Sequence, residues 1–172
     1  MEFRVRRATE ADKEALRRAI YQAWRWRDPW SETAFRQYLA LSRPDSYVDD
    51  FGRRRGDVGF VAEQVEDHCQ PVGAAWYRLF TDEDHRKGYV AADIPELVVA
   101  VSAEARGRGL GRALTNRLIQ HAATMGTSGL SLHVSHDNVR AQRMYRSLDF
   151  IVVEDRGSRG LVMLKTLQGV HA

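Results

Sequence analysis

Residues 106–111 read RGRGLG, three glycines at alternate positions, with arginines at 106, 108 and 112. A run so poor in side chains leaves its backbone amides accessible. Apolar residues at helical spacing begin at Leu110, so Gly107, Gly109 and Gly111 lead into a helix N-terminus. Unbonded N–H groups and the helix dipole favour an anion there, phosphate above all. Arg106, Arg108 and Arg112 add positive charge beside this cradle. Three other Gly-rich sites fit less well. A dinucleotide fingerprint needs a third glycine where this chain has Arg112, counting from Gly107, or Leu114, counting from Gly109. A P-loop needs Gly-Lys-Ser/Thr, which is absent from the sequence. RNA-binding arginine-glycine tracts are repeated within disordered segments, whereas this one lies between two regular elements. A simple tight turn is the bland alternative, although one glycine suffices for many turns.

Asn138, Ala141 and Tyr145 form a second group, at i, i+3 and i+7 of an expected helix and hence on one face. A small residue between two hydrogen-bonding ones lets a cofactor lie close along that face. Glu96 opens an apolar run behind Pro95, where a carboxylate can take a proton directly or through water. His133, in the triplet LHV, is the rival base, with an unperturbed pKa of about 6.5. A solvated glutamate and a satisfied sheet histidine are the respective alternatives. The loop TDED at 81–84 with Tyr89 and Asp93 could attract and enclose a cation, or be only a solvated loop. His68, His85, His121, His136 and Cys69 show no metal-ligand spacing, and no metal is expected.

These groups need elements to hold them. FRVRRAT at 3–9 alternates like a first strand, and Thr9 with Asp12 resembles a capping box for a helix with the stripe Ala15, Leu16, Ala19, Ile20, Ala23 and Trp24. Pro29 ends that region, and Ser31 caps a second helix that stops before Pro44. GDVGFVAEQ and PVGAAWYRLF, around the turn EDHCQ, read as paired strands. PELVVAVSA reads as a strand covered on both faces, with RGRGLG directly after it. A helix from Leu110 to a cap at Gly126, a strand at 130–135, a helix from a cap at Asp137 through Leu148, and a closing hairpin of FIVVED and GLVMLKTL complete the chain. The order β α α β β β α β α β β predicts a mixed sheet with helices on both faces in a single domain spanning 1–172.

Two segments now resemble one family, the GCN5-related N-acetyltransferases (GNAT). RGRGLG fits its Q/R-x-x-G-x-G/A pattern through Arg106, Gly109 and Gly111, and HVSHDNVRAQRMYRSLDF fits its N-x-x-A-x-x-x-Y-x-x-x-x-F segment through Asn138, Ala141, Tyr145 and Phe150. The resemblance is strong over 96–150 and weak before 70. It implies an α/β (α+β mixed) fold, a mostly antiparallel sheet of about seven strands splayed between strands 4 and 5. It also implies transfer of acetyl from acetyl-CoA to a primary amine of a small molecule or peptide, with no covalent enzyme intermediate. On that reading Arg106, Gly107, Arg108, Gly109, Leu110, Gly111 and Arg112 hold the pyrophosphate. The backbone of Val99, Ala100 and Val101 meets the pantetheine arm and thioester, Asn138 and Ala141 line the arm, Tyr145 protonates the thiolate and Glu96 is the base. The tryptophans at 24, 26 and 30 would border the acceptor cleft, although such tryptophans are more often core. Two positions depart from the family: Asp149 stands where glycine is usual, and Ser102-Ala103 stands where proline often follows the strand.

Composition sets outer limits. The chain has 172 residues, 44% apolar and 28% charged, and carries a formal charge of +3. This suits one soluble domain with a core of its own and no membrane span. The N-terminus has charges where a signal peptide is apolar, and Cys69 is the sole cysteine. A cytoplasmic, bacterial protein is the expectation. A CoA-binding module without turnover and an arginine-rich nucleic-acid binder are the alternative functions, nucleic acid being the less favoured partner. A homodimer through an edge strand stays open.

Overall fold

A computed structural model describes residues 2–40, 47–66 and 70–167. Residues 67–69 of the turn EDHCQ, with His68 and Cys69, and the stop before Pro44 lie outside them. The elements are β1 (Phe3–Arg7), α1 (Lys13–Trp24), α2 (Glu32–Ala40), β2 (Val58–Gln64), β3 (Gln70–Arg78), β4 (Glu96–Val101), α3 (Leu110–Thr124), β5 (Gly129–Val134), α4 (Val139–Arg146), β6 (Ile151–Asp155) and β7 (Leu161–Thr166). Their order is the one expected from the sequence. The seven strands follow the sheet order β1-β2-β3-β4-β5-β7-β6. Antiparallel pairing holds for β1 with β2, β5 with β7 and β6 with β7, whereas β4 pairs with β5 in parallel. No helix of the described residues is long and apolar enough to cross a membrane.

The chain forms two compact units. The first comprises 1–76 and 98–115, the second 77–97 and 116–172, so β3, β4 and α3 each run from one into the other. In the first unit Leu16, Phe35, Val61, Trp76 and Leu114 are wholly enclosed, each large side chain contributing about 1.5–3 kcal/mol. Trp76 adds an indole N–H donated to Tyr47 O at 2.7 Å. The β1–β2 register sets Arg6 opposite Val61. Beside that pair Arg6 reaches both Asp12, at 2.7 Å, and buried Glu63, at 2.6 Å. The capping box forms, with Thr9 N–H donating to Asp12 Oδ2 at 2.8 Å, but it starts a single 3-10 turn that hands over to α1 at Lys13. The α1 stripe stops short of its expected end. Leu16, Ala19 and Ile20 are buried, whereas Trp24 is 57% exposed, because the helix ends there and the chain turns through 25–28 well before Pro29.

In the second unit Leu118 and Ala122 of α3 pack inward, as do Leu130 and Leu132 of β5 and Val162 and Met163 of β7. The register of β5 on β7 runs from Gly129↔Thr166 to Val134↔Leu161. On β6, Val152 faces Met163 and Glu154 faces Val162, so one extra residue, Val153, is accommodated as a bulge.

Candidate active site

The Gly-rich turn lies in the first unit. It does not follow the strand directly, because Ala103–Ala105 form a 3-10 turn that ends with Arg106 N–H donating to Ala103 O. Gly107 and Gly109 then take left-handed backbone angles, φ 83° and 79°, which L side chains adopt only at a cost. At Gly109 a Cβ would meet no atom within 4 Å, so the backbone faces open space. The helix begins at Leu110, and Ala113 N–H donates to Gly109 O at 2.9 Å as its first bond. The amides of Leu110 and Gly111 precede the first residue that can bond within the helix, where an external acceptor can be bound. Buried Thr115 closes the same turn by donating its hydroxyl to Gly111 O at 2.7 Å.

The arginines divide between structure and charge. Arg106 spends its guanidinium on Val101 O, at 3.0 Å, and Trp26 O, at 3.1 Å, tying the turn to the end of β4 and to the α1–α2 connection. Arg108 lies over the Phe3 ring, 5.9 Å from its centroid. In β4, Ala100 is buried and Val99 and Val101 are half-buried. On the neighbouring strand, a Cβ at Gly73 would come within 3.0 Å of Ala100 O.

The α4 face lies in the second unit. The helix is capped one residue later than expected. Asn138 Oδ1, rather than Asp137, accepts from Ala141 N–H at 3.1 Å, and the helix runs Val139–Arg146 instead of reaching Leu148. This cap fixes the amide's orientation, because the oxygen must face the Ala141 donor and the NH2 group is left for another acceptor. Tyr145 is only 7% exposed and packs edge-on against Phe150 at 5.7 Å. Its hydroxyl has no hydrogen-bond partner among the described residues, and burial pushes its pKa well above the ordinary phenol value. It therefore stays protonated at neutral pH. The chain leaves α4 through Asp149 at φ 64°, the left-handed residue that replaces glycine, with Lys165 Nζ 3.3 Å from its carboxylate.

The two rival bases are neighbours in this unit. Glu96 registers with Ser131, and His133 lies two residues further along β5 and on the same side of it. Glu96 is 2% exposed, and its Oε1 accepts from Gly88 N–H at 2.9 Å. His133 Nε2 is hydrogen-bonded to Arg159 O. A carbonyl only accepts, so the proton sits on Nε2 and the lone pair on Nδ1. Burial lowers the His133 pKa below its ordinary value, and the positive charges of Lys87 and Arg156 add to this while the Arg159 contact opposes it. Gly88 and Arg156 approach Glu96, and Lys87 and Arg156 approach His133, from a polar loop and a hairpin turn. No local pattern in the sequence marks them; only the long-range pairing does.

Two features border on acceptor chemistry. In the first unit Tyr21, Arg25, Asp28, Trp30, Ala103 and Arg106 line a small hollow. Trp30 is half-buried there, 5.2 Å from the Phe35 ring, with the Arg18 guanidinium 4.6 Å from its own. In the second unit Tyr89 donates to Asp82 Oδ1 at 2.5 Å and stacks on His85 at 5.0 Å. The Asp82 hydrogen bond pushes the Tyr89 pKa up to about 12, with Glu83 and Asp93 contributing at longer range. The acidic loop is thus ordered around an aromatic ring.

Comparison with known proteins matches this geometry to one family. The model of the acetyltransferase (GNAT) family covers residues 15–150. A mycothiol acetyltransferase of Frankia alni is 40% identical over 116 residues, 66% of this chain and 32% of its own length. One from Rhodococcus jostii is 32% identical over 151 residues, 86% of this chain and 45% of its own length. The chain thus spans a third to a half of these relatives. Among solved structures, a ribosomal-protein-alanine N-acetyltransferase from Brucella melitensis aligns with a TM-score of 0.64 at 27% identity, over 95% of this chain and 99% of the other. The PaiA N-acetyltransferase of Thermoplasma acidophilum, solved with coenzyme A, shares the fold at 17% identity and a TM-score of 0.64, over 96% and 99% of the two chains.

Proposed function

The chain belongs to the acetyltransferase (GNAT) family, and on that premise we propose that it transfers acetyl from acetyl-CoA directly to a primary amine of a small molecule or peptide. The observation that carries this is the pairing of two motifs within one chain. An open, left-handed glycine turn lies at the start of α3, and a capped α4 face carries Asn138, Ala141 and a protonated Tyr145. The amides from Gly107 to Arg112 take the pyrophosphate, Asn138 offers its NH2 group to a carbonyl of the pantetheine arm, and Ala141 leaves room for that arm. The backbone of Val99, Ala100 and Val101 supplies edge groups to the thioester.

Acyl transfer makes one C–N bond and breaks one C–S bond. The amine nitrogen attacks the thioester carbonyl, and its surplus proton passes to Glu96, directly or through water. The collapsing intermediate expels thiolate, which receives the proton that Tyr145 holds. The reading needs no metal and no cysteine nucleophile. We treat residues 1–172 as one catalytic domain working in a bacterial cytoplasm, where its co-substrate is made.

Thiol release from acetyl-CoA tests this, with spermidine, kanamycin, free lysine and an alanine-initiated peptide as acceptors. One thiol per acetylated amine is the expected result. Tight CoA binding with no amine-dependent thiol release would make the chain a binding module instead.

A further inference from the structure

The peptide group that joins Lys87 to Gly88 is gripped at both ends. Its carbonyl accepts from Arg156 Nη1 at 2.7 Å, and its N–H donates to Glu96 Oε1 at 2.9 Å. A cation, one peptide unit and an anion are therefore hydrogen-bonded in series. Charge on the carbonyl side draws electron density away from the amide nitrogen, so its N–H becomes a stronger donor to the carboxylate.

Three further features hold this chain of contacts in place. Gly88 is buried, and a Cβ there would stand 2.7 Å from Glu96 Oε1 and 2.7 Å from His133 N, so no other residue allows the loop to approach. Arg156 Nη2 is fixed by Glu154 Oε2 at 2.6 Å, which sets the plane of the guanidinium. The bulge at Val153 adds one residue before Glu154 and Arg156, and without it both would be one place out of register with β7.

We propose that Arg156 is a positioning residue for Glu96, acting through the Lys87–Gly88 peptide to keep the carboxylate charged and aimed, and so coupling the acidic loop at 81–93 to the base. The proposal rests on the reading of Glu96 as base. The groups facing Glu96 include Lys87 beside the shared peptide, His133 on β5 and Arg156, whose own charge is balanced in part by Glu154. His133 is held neutral by burial and by the nearby cations, whereas Arg156 interacts electrostatically with the carboxylate itself.

The test follows the Glu96 carboxyl itself, with 13C-labelled glutamate and a pH titration by NMR, the resonance being assigned by its absence from E96Q. In R156Q the midpoint is expected to rise by about one pH unit, a tenfold loss of the charged form at the acid end. R156K keeps the charge but cannot bridge Lys87 O and Glu154 with two nitrogens at fixed geometry, and it is expected to fall between. An unchanged midpoint in R156Q and R156K, with the rest of the spectrum matching wild type, overturns the proposal. The base reading is tested separately, by the acid limb of kcat/KM with whichever panel amine is acetylated. If that limb survives in E96Q while R156Q still moves the NMR midpoint, Glu96 is not the base, yet its coupling to Arg156 stands.

Discussion

Gly109 offers the sharpest perturbation of the donor site, because the consequences for fold and for ligand can be worked out separately. Its backbone is left-handed and a Cβ there meets nothing within 4 Å. Alanine at this position therefore creates no clash, and its cost is backbone strain of about 1–2 kcal/mol. In a chain of this size that lowers the melting temperature by roughly 2–8 °C. Aspartate tolerates the left-handed region better than alanine, so G109D should be no less stable than G109A. The ligand sees a different pair of variants. A carboxylate roughly 6 Å from one phosphate charge, at an effective dielectric constant of about 20, repels it by about 3 kcal/mol. That corresponds to a Kd for CoA about 100-fold weaker. Calorimetric titration with CoA of wild type, G109A and G109D separates the terms, and added salt should narrow the gap between the two variants. If G109D binds CoA as tightly as G109A at low salt, no phosphate passes over Gly109 and the cradle assignment is wrong.

Tyr145→Phe should lower kcat by about 100-fold or more, the range for losing a general acid, with KM for acetyl-CoA nearly unchanged. Its thermal midpoint should stay close to wild type, since the hydroxyl has no protein partner to lose among the described residues; steady-state kinetics and a thermal melt check both. The Arg6–Asp12–Glu63 cluster predicts acid sensitivity. The Arg6 hydrogen bond leads in holding Asp12 below its ordinary value. At Glu63, burial opposes ionisation, but the Arg4 and Arg6 hydrogen bonds outweigh it and the net shift is also downward. Both carboxylates therefore contribute stability that is complete above their unfolded values of about 4 and is lost as pH falls through the lower folded ones. Urea melts from pH 6 to 3 should show stability falling below about pH 4.5, and D12N should flatten the fall; an equal slope in D12N would refute the assignment.

Local chemistry carried most of the architecture. Hydrophobic period, glycine and proline punctuation and cap residues act over a few positions, so the order of eleven elements could be read without long-range information. The glycine turn and the Asn138–Tyr145 face were legible for the same reason, because each is built on one helix whose register the apolar residues dictate. Asp149 could be foreseen as left-handed because it stands where the resembled family has glycine, and aspartate is among the few side chains that tolerate the angle.

Other details needed the folded chain. The cap fell on Asn138 rather than Asp137 because only one of two adjacent cap formers can meet the Ala141 amide, and geometry selects it. Arg106 looked like free charge for a phosphate but binds two carbonyls, one of them eighty residues away in sequence. Glu96 and His133, rival bases on separate strands, became neighbours through the parallel pairing of β4 and β5. The grip of Arg156 and Glu96 on one peptide spans three segments. Such contacts leave no periodic trace, because pairing between distant strands depends on the whole sheet's register, whereas a helix face or a turn is dictated by the residues within it.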